Sequence, residues 1–196
     1  MPSRHVEVSV LPSVVLLAVL ASVVLLERLR RRAALTVPRA VVGVVAAVFV
    51  AGMLGNTVLP VHLGRSSDRA WWQYLHLTPL VGTDPRDMVM NVVVFLPLGV
   101  LLPLIARVRS ARRVLLIGFL TSLTMELLQW VNAVTVHGGH LPDVNDLLAN
   151  TVGTPLGYGA FRAALALPGS ARLARAATWP VAPREGAAVH PAAVGS

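Results

Sequence analysis

The sequence contains no cysteine and no lysine. The lack of cysteine excludes disulfides, thiolate nucleophiles and cysteine-ligated metals. The lack of lysine excludes Schiff-base and lysine general-base chemistry. Charged residues make up only 13% of the 196 residues, whereas hydrophobic residues make up 55% and the mean hydropathy is +0.69. A soluble domain of this size could not bury so much apolar surface, so the composition indicates a membrane protein.

Apolar stretches recur along the chain at about the length, roughly 20 residues, that crosses the hydrocarbon core of a bilayer. Five such stretches cover residues 8–26, 41–59, 88–106, 114–131 and 147–167. The fifth is interrupted by Gly153, Pro155, Gly157 and Gly159. We predict an all-α fold, a polytopic membrane helix bundle of about five transmembrane spans that occupies residues 1–167 as one domain.

The distribution of charge predicts the orientation of this bundle. Thirteen of the 17 arginines follow the first, third or fifth span, whereas seven of the nine acidic residues lie on the opposite side. The positive-inside rule therefore predicts an outside N-terminus and an inside C-terminus. It also explains the net charge of +8 without a nucleic-acid partner. Residues 168–196, rich in Ala, Pro and Arg, are predicted to form a disordered cytoplasmic tail that can contact membrane lipids.

Polar residues lie at helical spacing where three predicted spans approach the outer surface. In span four, Ser122, Glu126 and Gln129 are spaced i, i+4, i+7 and share one helical face. A carboxylate inside a span costs roughly 2.5 to 3.5 kcal/mol, so Glu126 is expected to face the bundle interior. We predict an outward-facing pocket of acidic and amide side chains that binds a ligand. Its predicted residues are Asp87, Asn91, Glu126, Gln129, Asp143, Asp146 and Asn150.

Structural roles compete with ligand binding at several of these positions. Asp143 can be the N-cap of the fifth helix, and Asp146 and Asp87 can be first-turn acids favoured by the helix dipole. Asn91 and Asn150 can form hydrogen bonds between helices. In span three, Pro97 and Gly99 are expected to kink the helix and allow close packing. Before that span, a short segment with Trp71, Trp72 and Tyr74 is expected to anchor at the outer membrane interface.

Three motifs carry a resemblance to a known family. They are "DMVMNVVVFLPLG", "SLTMELLQW" and "DVNDLLANTVGTPLG". Their order and spacing resemble the VanZ-like family of bacterial membrane proteins over about residues 55–162. The resemblance implies a multi-pass protein of the bacterial cytoplasmic membrane with a cell-envelope role, linked to teicoplanin-type glycopeptide resistance. One departure is "GGHLPD", in which His140 is the nearest basic residue where the family often has an arginine.

Three functions stay open on this basis. The first is a pocket that binds or moves a lipid-linked wall precursor, a glycan or a glycopeptide. The second is an intramembrane metal- or carboxylate-dependent hydrolase acting on a lipid phosphate or glycoside, in which Glu126, Asp143 and Asp146 hold a divalent cation or act as acid and base. The third is a structural or partner-binding membrane protein. The motifs imply no cofactor apart from that cation, and no catalytic residue is assigned.

Overall fold

The structure, a computed structural model, describes residues 6–7, 10–59, 62–63, 70–82, 84–136 and 141–180. Almost all secondary structure in these residues is helical, which confirms the predicted all-α class. The helices are α1 (Val10–Arg31), α2 (Val37–Val58), α3 (Pro85–Ile105), α4 (Ala111–Val136), α5 (Val144–Ala164) and α6 (Ser170–Ala177). The chain between α2 and α3 contains a short 3₁₀ helix, Trp71–Tyr74, and a strand, β2 (His62–Leu63), that pairs antiparallel with β1 (Val6–Glu7).

Four of the described helices, α1 to α4, are long and apolar enough to cross a membrane. Large apolar side chains such as Leu16, Val48 and Leu116 are exposed on them, whereas Thr57 and Ser122 are buried. This distribution is the inverse of that in a water-soluble fold and suits a hydrocarbon surrounding. The chain is therefore a multi-pass membrane protein. Helix α5 has 21 residues but carries more polar side chains and does not join these four, so a fifth span and the orientation stay predictions.

Helices α3 and α5 pack with their backbones in contact. A methyl group at Gly157 would overlap the carbonyl oxygen of Leu96, and one at Gly153 would overlap that of Val92. From the other side, a methyl group at Gly99 would overlap the backbone of α5. The close packing predicted at Gly99 is confirmed, because only a residue without a side chain allows two helices to approach so closely. Helix α3 continues through Pro97 and Pro103, and a kink at Pro97 stays a prediction.

The remaining helices pack around this pair. Helix α5 also packs against α4, and α1 packs along α2, where the side chain of Val14 contacts Gly55. Near the end of α2, Asn132 of α4 donates a hydrogen bond from Nδ2 to the carbonyl oxygen of Val58 (2.9 Å). The first turns of α3 and α5 and the C-terminal half of α4 lie at the same end of the bundle as the end of α2.

The segment after α5 differs from the sequence prediction. Disorder is predicted from residue 168 onward, but the structure has helix α6 there. Its end is fixed by Trp179, whose backbone N–H donates to the carbonyl oxygen of Leu104 (2.9 Å) and whose indole Nε1 donates to that of Arg39 (3.2 Å). These tertiary contacts fix α6, whose Ala174 and Ala177 pack against the apolar core of the bundle. Residues 181–196 of the predicted tail lie outside the described residues.

Candidate functional site

A polar cavity of about 370 Å³ lies where α2, α3, α4 and α5 meet at one end of the bundle. The structure brings all the predicted site residues together around it. Asp87 and Asn91 come from α3, Glu126 and Gln129 from α4, and Asp143, Asp146 and Asn150 from the start of α5. In the described part of the chain, five of the lining residues are acidic and none is basic. The cavity therefore has a negative wall and presents mainly hydrogen-bond acceptors.

Asp143 connects two sides of this cavity. Its backbone N–H donates a hydrogen bond to Oε2 of Glu126 (2.9 Å). Its carboxylate oxygen Oδ1 accepts from the backbone N–H of Asn145 (2.8 Å), which is the N-cap hydrogen bond of α5. The predicted capping role of Asp143 is thus confirmed. Asp143 also lines the polar cavity, and ligand binding by this residue stays a prediction.

Asn145 fixes the loop before α3 against the start of α5. Its side-chain Nδ2 donates to Asp143 Oδ1 (2.9 Å), and its Oδ1 accepts from the backbone N–H of Leu80 (2.8 Å). Two backbone hydrogen bonds join the same segments at His76. The N–H of His76 donates to the carbonyl oxygen of Pro142 (3.1 Å), and the N–H of Val144 donates to the carbonyl oxygen of His76 (3.0 Å). The chain before α3 therefore lies beside the start of α5 and closes one side of the site.

Asn91 and Asp146 join α3 to α5 inside the cavity. Nδ2 of Asn91 donates a hydrogen bond to Oδ1 of Asp146 (2.5 Å). Both residues are half-buried. Asp87 lies one turn earlier in α3, is exposed, and follows the N-cap Asp84, whose carboxylate accepts from the backbone N–H of Arg86 (2.8 Å).

Gln129 and Asn150 differ from the other site residues. Their side chains are only 5% and 4% exposed. Among the described residues, Oε1 of Gln129 and Oδ1 of Asn150 are buried with no hydrogen-bond partner. A buried acceptor without a donor costs about 1 to 3 kcal/mol, and native proteins contain few of them. Both atoms belong to residues that line the polar cavity, so a donor group in the cavity could satisfy them.

Some lining residues were missed from the sequence. Asn56 lies in α2, which sequence analysis treats as wholly apolar, and Asp84 lies in a loop. Asn56 could have been found as an amide inside a span, by the argument that identified Glu126. Asn145 carries no such signal, because its role depends on the loop that contains Leu80. His140 lies outside the described residues, so the departure from the family pattern has no structural counterpart.

The acidic residues do not converge on a single point. In the described ranges no three His, Asp or Glu side chains form a group that could hold a metal ion. Glu126 is held by Asp143, and Asp146 is held by Asn91. Binding of a divalent cation stays a prediction.

An apolar groove of about 320 Å³ adjoins the polar cavity. Its walls include Leu75, Leu123, Leu127, Trp71 and Trp130. The two tryptophan rings meet edge to face with centroids 6.1 Å apart, and Trp130 Nε1 donates to the carbonyl oxygen of Trp71 (3.3 Å). The boundary between the groove and the polar cavity is formed by residues that line both.

The shared boundary residues are Glu126 and Asp143. A site of this kind has an acidic and amide compartment beside an apolar one, both at one end of a membrane-spanning bundle. The fold and the site therefore define a multi-pass membrane helix bundle with a polar cavity open beside an apolar groove.

The comparison with protein families identifies this class further. The family model VanZ/LLP1 matches residues 13–166. The chain therefore belongs to the VanZ/LLP1 family, which confirms the resemblance found in the sequence motifs and extends it to α1. No curated protein and no solved structure matches the chain.

Proposed function

We propose that the polar cavity binds the headgroup of an amphipathic ligand, namely the glycan or amine-bearing part of a lipid-linked wall precursor, a surface glycan or a glycopeptide. The observation that carries this proposal is the pair of buried amide oxygens, on Gln129 and Asn150, that have no donor among the described residues. A hydroxyl, ammonium or amide group of a ligand supplies such a donor. Sugars and glycopeptides are rich in these groups.

The charge of the cavity favours the glycan or amine-bearing part of such a ligand over its phosphate. Acidic residues line the cavity and no basic residue does so in the described chain. A phosphate or pyrophosphate would be repelled by these carboxylates, whereas neutral sugar hydroxyls and amines would be attracted. The glycan or amine-bearing portion of a lipid-linked molecule is thus the part that occupies the cavity.

The apolar groove supports the amphipathic nature of the ligand. Because Glu126 and Asp143 line both compartments, a headgroup in the cavity lies next to a surface suited to a hydrocarbon chain. Trp71 and Trp130, at the mouth of the groove, are of the residue type that lies at the headgroup level of a bilayer. Binding at this depth needs no passage of the ligand through the bundle.

The proposed location is the outer face of the bacterial cytoplasmic membrane. Arginines lie at the opposite end of the bundle from the polar cavity, after α1, between α3 and α4, and at the end of α5. The positive-inside rule assigns that end to the cytoplasm, so the cavity faces outward and α5 is the fifth span. Binding of lipid-linked wall precursors or of teicoplanin-type glycopeptides at this face would account for a role in the cell envelope and in resistance.

A purely structural role is the second candidate, and particular contacts favour it. Glu126, Asp143, Asn91 and Asp146 all have internal hydrogen bonds that join helices. These contacts explain why such residues stabilise the bundle, but they do not explain the unsatisfied oxygens of Gln129 and Asn150. Ligand binding accounts for the hydrogen-bonded residues and for the unsatisfied ones. The hydrogen-bonded residues shape the cavity, and the amide oxygens of Gln129 and Asn150 contact the ligand in it.

The test is a thermal-shift panel on the purified full chain. Wild type and Glu126→Gln are melted with divalent cations, polyprenyl phosphates, lipid-linked wall precursors and a glycopeptide. The glutamine keeps an acceptor oxygen for the Asp143 N–H and removes only the charge. The control is Thr124→Val, because Thr124 is exposed on α4 and its hydroxyl donates within the helix to Leu120 (2.7 Å).

We expect a precursor or glycopeptide to raise the melting temperature of the wild type and of Thr124→Val, and to have a much smaller effect on Glu126→Gln. Equal stabilisation of Glu126→Gln and wild type would contradict the proposal. A shift with divalent cations alone would instead support the hydrolase alternative, and turnover of a lipid phosphate could then be measured directly.

A further inference from the structure

A second cavity, of about 350 Å³, lies at the arginine-rich end of the bundle, far from the polar cavity. It is bounded by the end of α5, by the loop between α3 and α4, and by α6. Arg109, Arg162 and Arg175 line it together with Tyr158 and Thr178. Three arginines from three parts of the chain thus line one space.

The positive charge of this second cavity is uncompensated. In the part of the chain that the structure describes, the ion pairs are those of Glu27 with Arg30 and Arg31, at the end of α1. Among the described residues, no carboxylate lines the second cavity. Like charges held close together without a counter-charge repel each other and favour an anion between them.

Tyr158 holds Arg109 and Arg162 in position in this cavity. Its side chain is buried, and its hydroxyl donates to the carbonyl oxygen of Arg109 (2.6 Å). The same hydroxyl oxygen accepts a hydrogen bond from Nη1 of Arg162 (3.2 Å), whose guanidinium carbon is 5.9 Å from the centre of the tyrosine ring. The Arg162 side chain is therefore held in place before any ligand arrives, which reduces the entropy lost on binding.

The wall formed by α6 is fixed as well. Arg107 Nε donates to the carbonyl oxygen of Trp179 (3.1 Å), and Arg39 Nε donates to that of Thr178 (3.0 Å). Trp179 adds two more hydrogen bonds, from its backbone N–H to Leu104 of α3 and from its indole Nε1 to Arg39 of α2. Arg175 thus stands on a helix whose position is set by the bundle. Leu167 and Leu173, beside α6 and on it, are exposed and can lie in the membrane interface.

We propose that the second cavity is a binding site for a phosphate group, the headgroup phosphate of an anionic phospholipid. Arginine guanidiniums match phosphate oxygens in geometry and charge. Helix α6, which carries Arg175, also carries the exposed Leu173 at the end of a membrane-spanning bundle, which places a phospholipid within reach. This site involves α6, which lies beyond the family match over residues 13–166, and it is independent of the polar cavity.

The test compares lipid retention by the purified full chain and its variants in native mass spectrometry. The chain is titrated with phosphatidylglycerol and, separately, with phosphatidylcholine. Arg109→Gln/Arg175→Gln removes two guanidiniums from the cavity and leaves the Arg109 carbonyl in place for Tyr158. Arg113→Gln/Arg172→Gln is the matched control, because it removes the same charge from exposed neighbours that do not line the cavity. Inorganic phosphate is added in a parallel titration.

Wild type is expected to retain phosphatidylglycerol in preference to phosphatidylcholine. We expect the cavity variant to bind phosphatidylglycerol at least about tenfold more weakly, because it loses two guanidiniums that can contact the phosphate. The control should bind like wild type, because its two arginines do not line the cavity. A different result would assign the site to a free anion. In that case inorganic phosphate would bind wild type and the control more tightly than the cavity variant, and wild type would not prefer phosphatidylglycerol to phosphatidylcholine. Equal binding by the cavity variant and wild type, or an equal loss in the control, would overturn the site.

A melting curve distinguishes loss of the site from loss of the fold. Both double variants change exposed side chains that have no hydrogen-bonded partner in the described chain, so both are expected to melt like wild type. If the cavity variant melts early, Arg175→Gln alone is used, with Arg172→Gln as its control on the same helix.

Discussion

The carboxylate of Glu126 accepts a hydrogen bond from the backbone N–H of Asp143, the residue that caps α5. This contact joins the C-terminal half of α4 to the start of α5 and lies on the boundary between the polar cavity and the apolar groove. Glu126 is 8% exposed, so its charge is held inside the bundle and beside the space where a ligand would lie. A charge in that position is costly in a membrane and is retained where it pairs or acts on a ligand.

Replacing an unpaired amide should separate ligand binding from stability. Asn150→Leu removes a buried oxygen that has no partner in the described residues, so the free energy of unfolding should not fall. Asn91→Leu is the matched variant, because it removes the donor to Asp146 and should cost about 1 to 3 kcal/mol. Thermal melting without ligand measures both. If Asn150→Leu melts as early as Asn91→Leu, Asn150 serves only the packing.

Packing of α3 against α5 should depend on single glycines. Gly157→Ala places a methyl group on the Leu96 carbonyl and should destabilise the protein by about 1 to 3 kcal/mol. Gly159→Ala is the control two residues away on the same helix, where an added methyl group meets no atom within 4 Å. Detergent melting compares the two. Equal melting temperatures would contradict the close approach of these helices.

Asn145 should hold the loop that contains Leu80. Asn145→Ala removes the acceptor of the Leu80 N–H and one donor to Asp143, so we expect a loss of about 1 to 3 kcal/mol and faster proteolysis at residues 77–82. Gln73→Ala is the comparison, since Gln73 accepts only a local hydrogen bond from the Ala70 N–H (3.0 Å). Cleavage rates that do not differ between these variants would show that the loop is held by other contacts.

The proposed orientation can be tested by labelling, because the chain has no cysteine. Val81→Cys places a thiol in an exposed loop at the polar-cavity end, and Arg112→Cys places one at the arginine-rich end. In intact cells an impermeant maleimide should modify the first and not the second. Permeabilised cells provide the control in which both react. The reverse pattern in intact cells would place the polar cavity on the cytoplasmic side.

Helical spacing accounts for how well the polar cavity could be predicted. Asp87 and Asn91, like Glu126 and Gln129, share a face because each pair is separated by about one turn, and a face with charge must turn inward in a membrane. Helical spacing could not predict the role of Asn145, because its hydrogen-bond partner Leu80 is 65 residues away in the sequence. Sequence analysis also missed α6, an eight-residue helix whose apolar face is made by small side chains such as Ala174 and Ala177. Trp179 holds the end of this helix against α2 and α3.

The most direct test of the polar cavity is the affinity of the purified chain for the glycan-bearing ligand that stabilises it, measured for wild type, Glu126→Gln and Asn150→Leu. Both variants should bind at least about tenfold more weakly, which corresponds to the loss of one buried hydrogen bond, while Asn150→Leu melts no earlier than wild type. Unchanged affinity in both variants would contradict the proposal and leave the polar residues with a structural role alone.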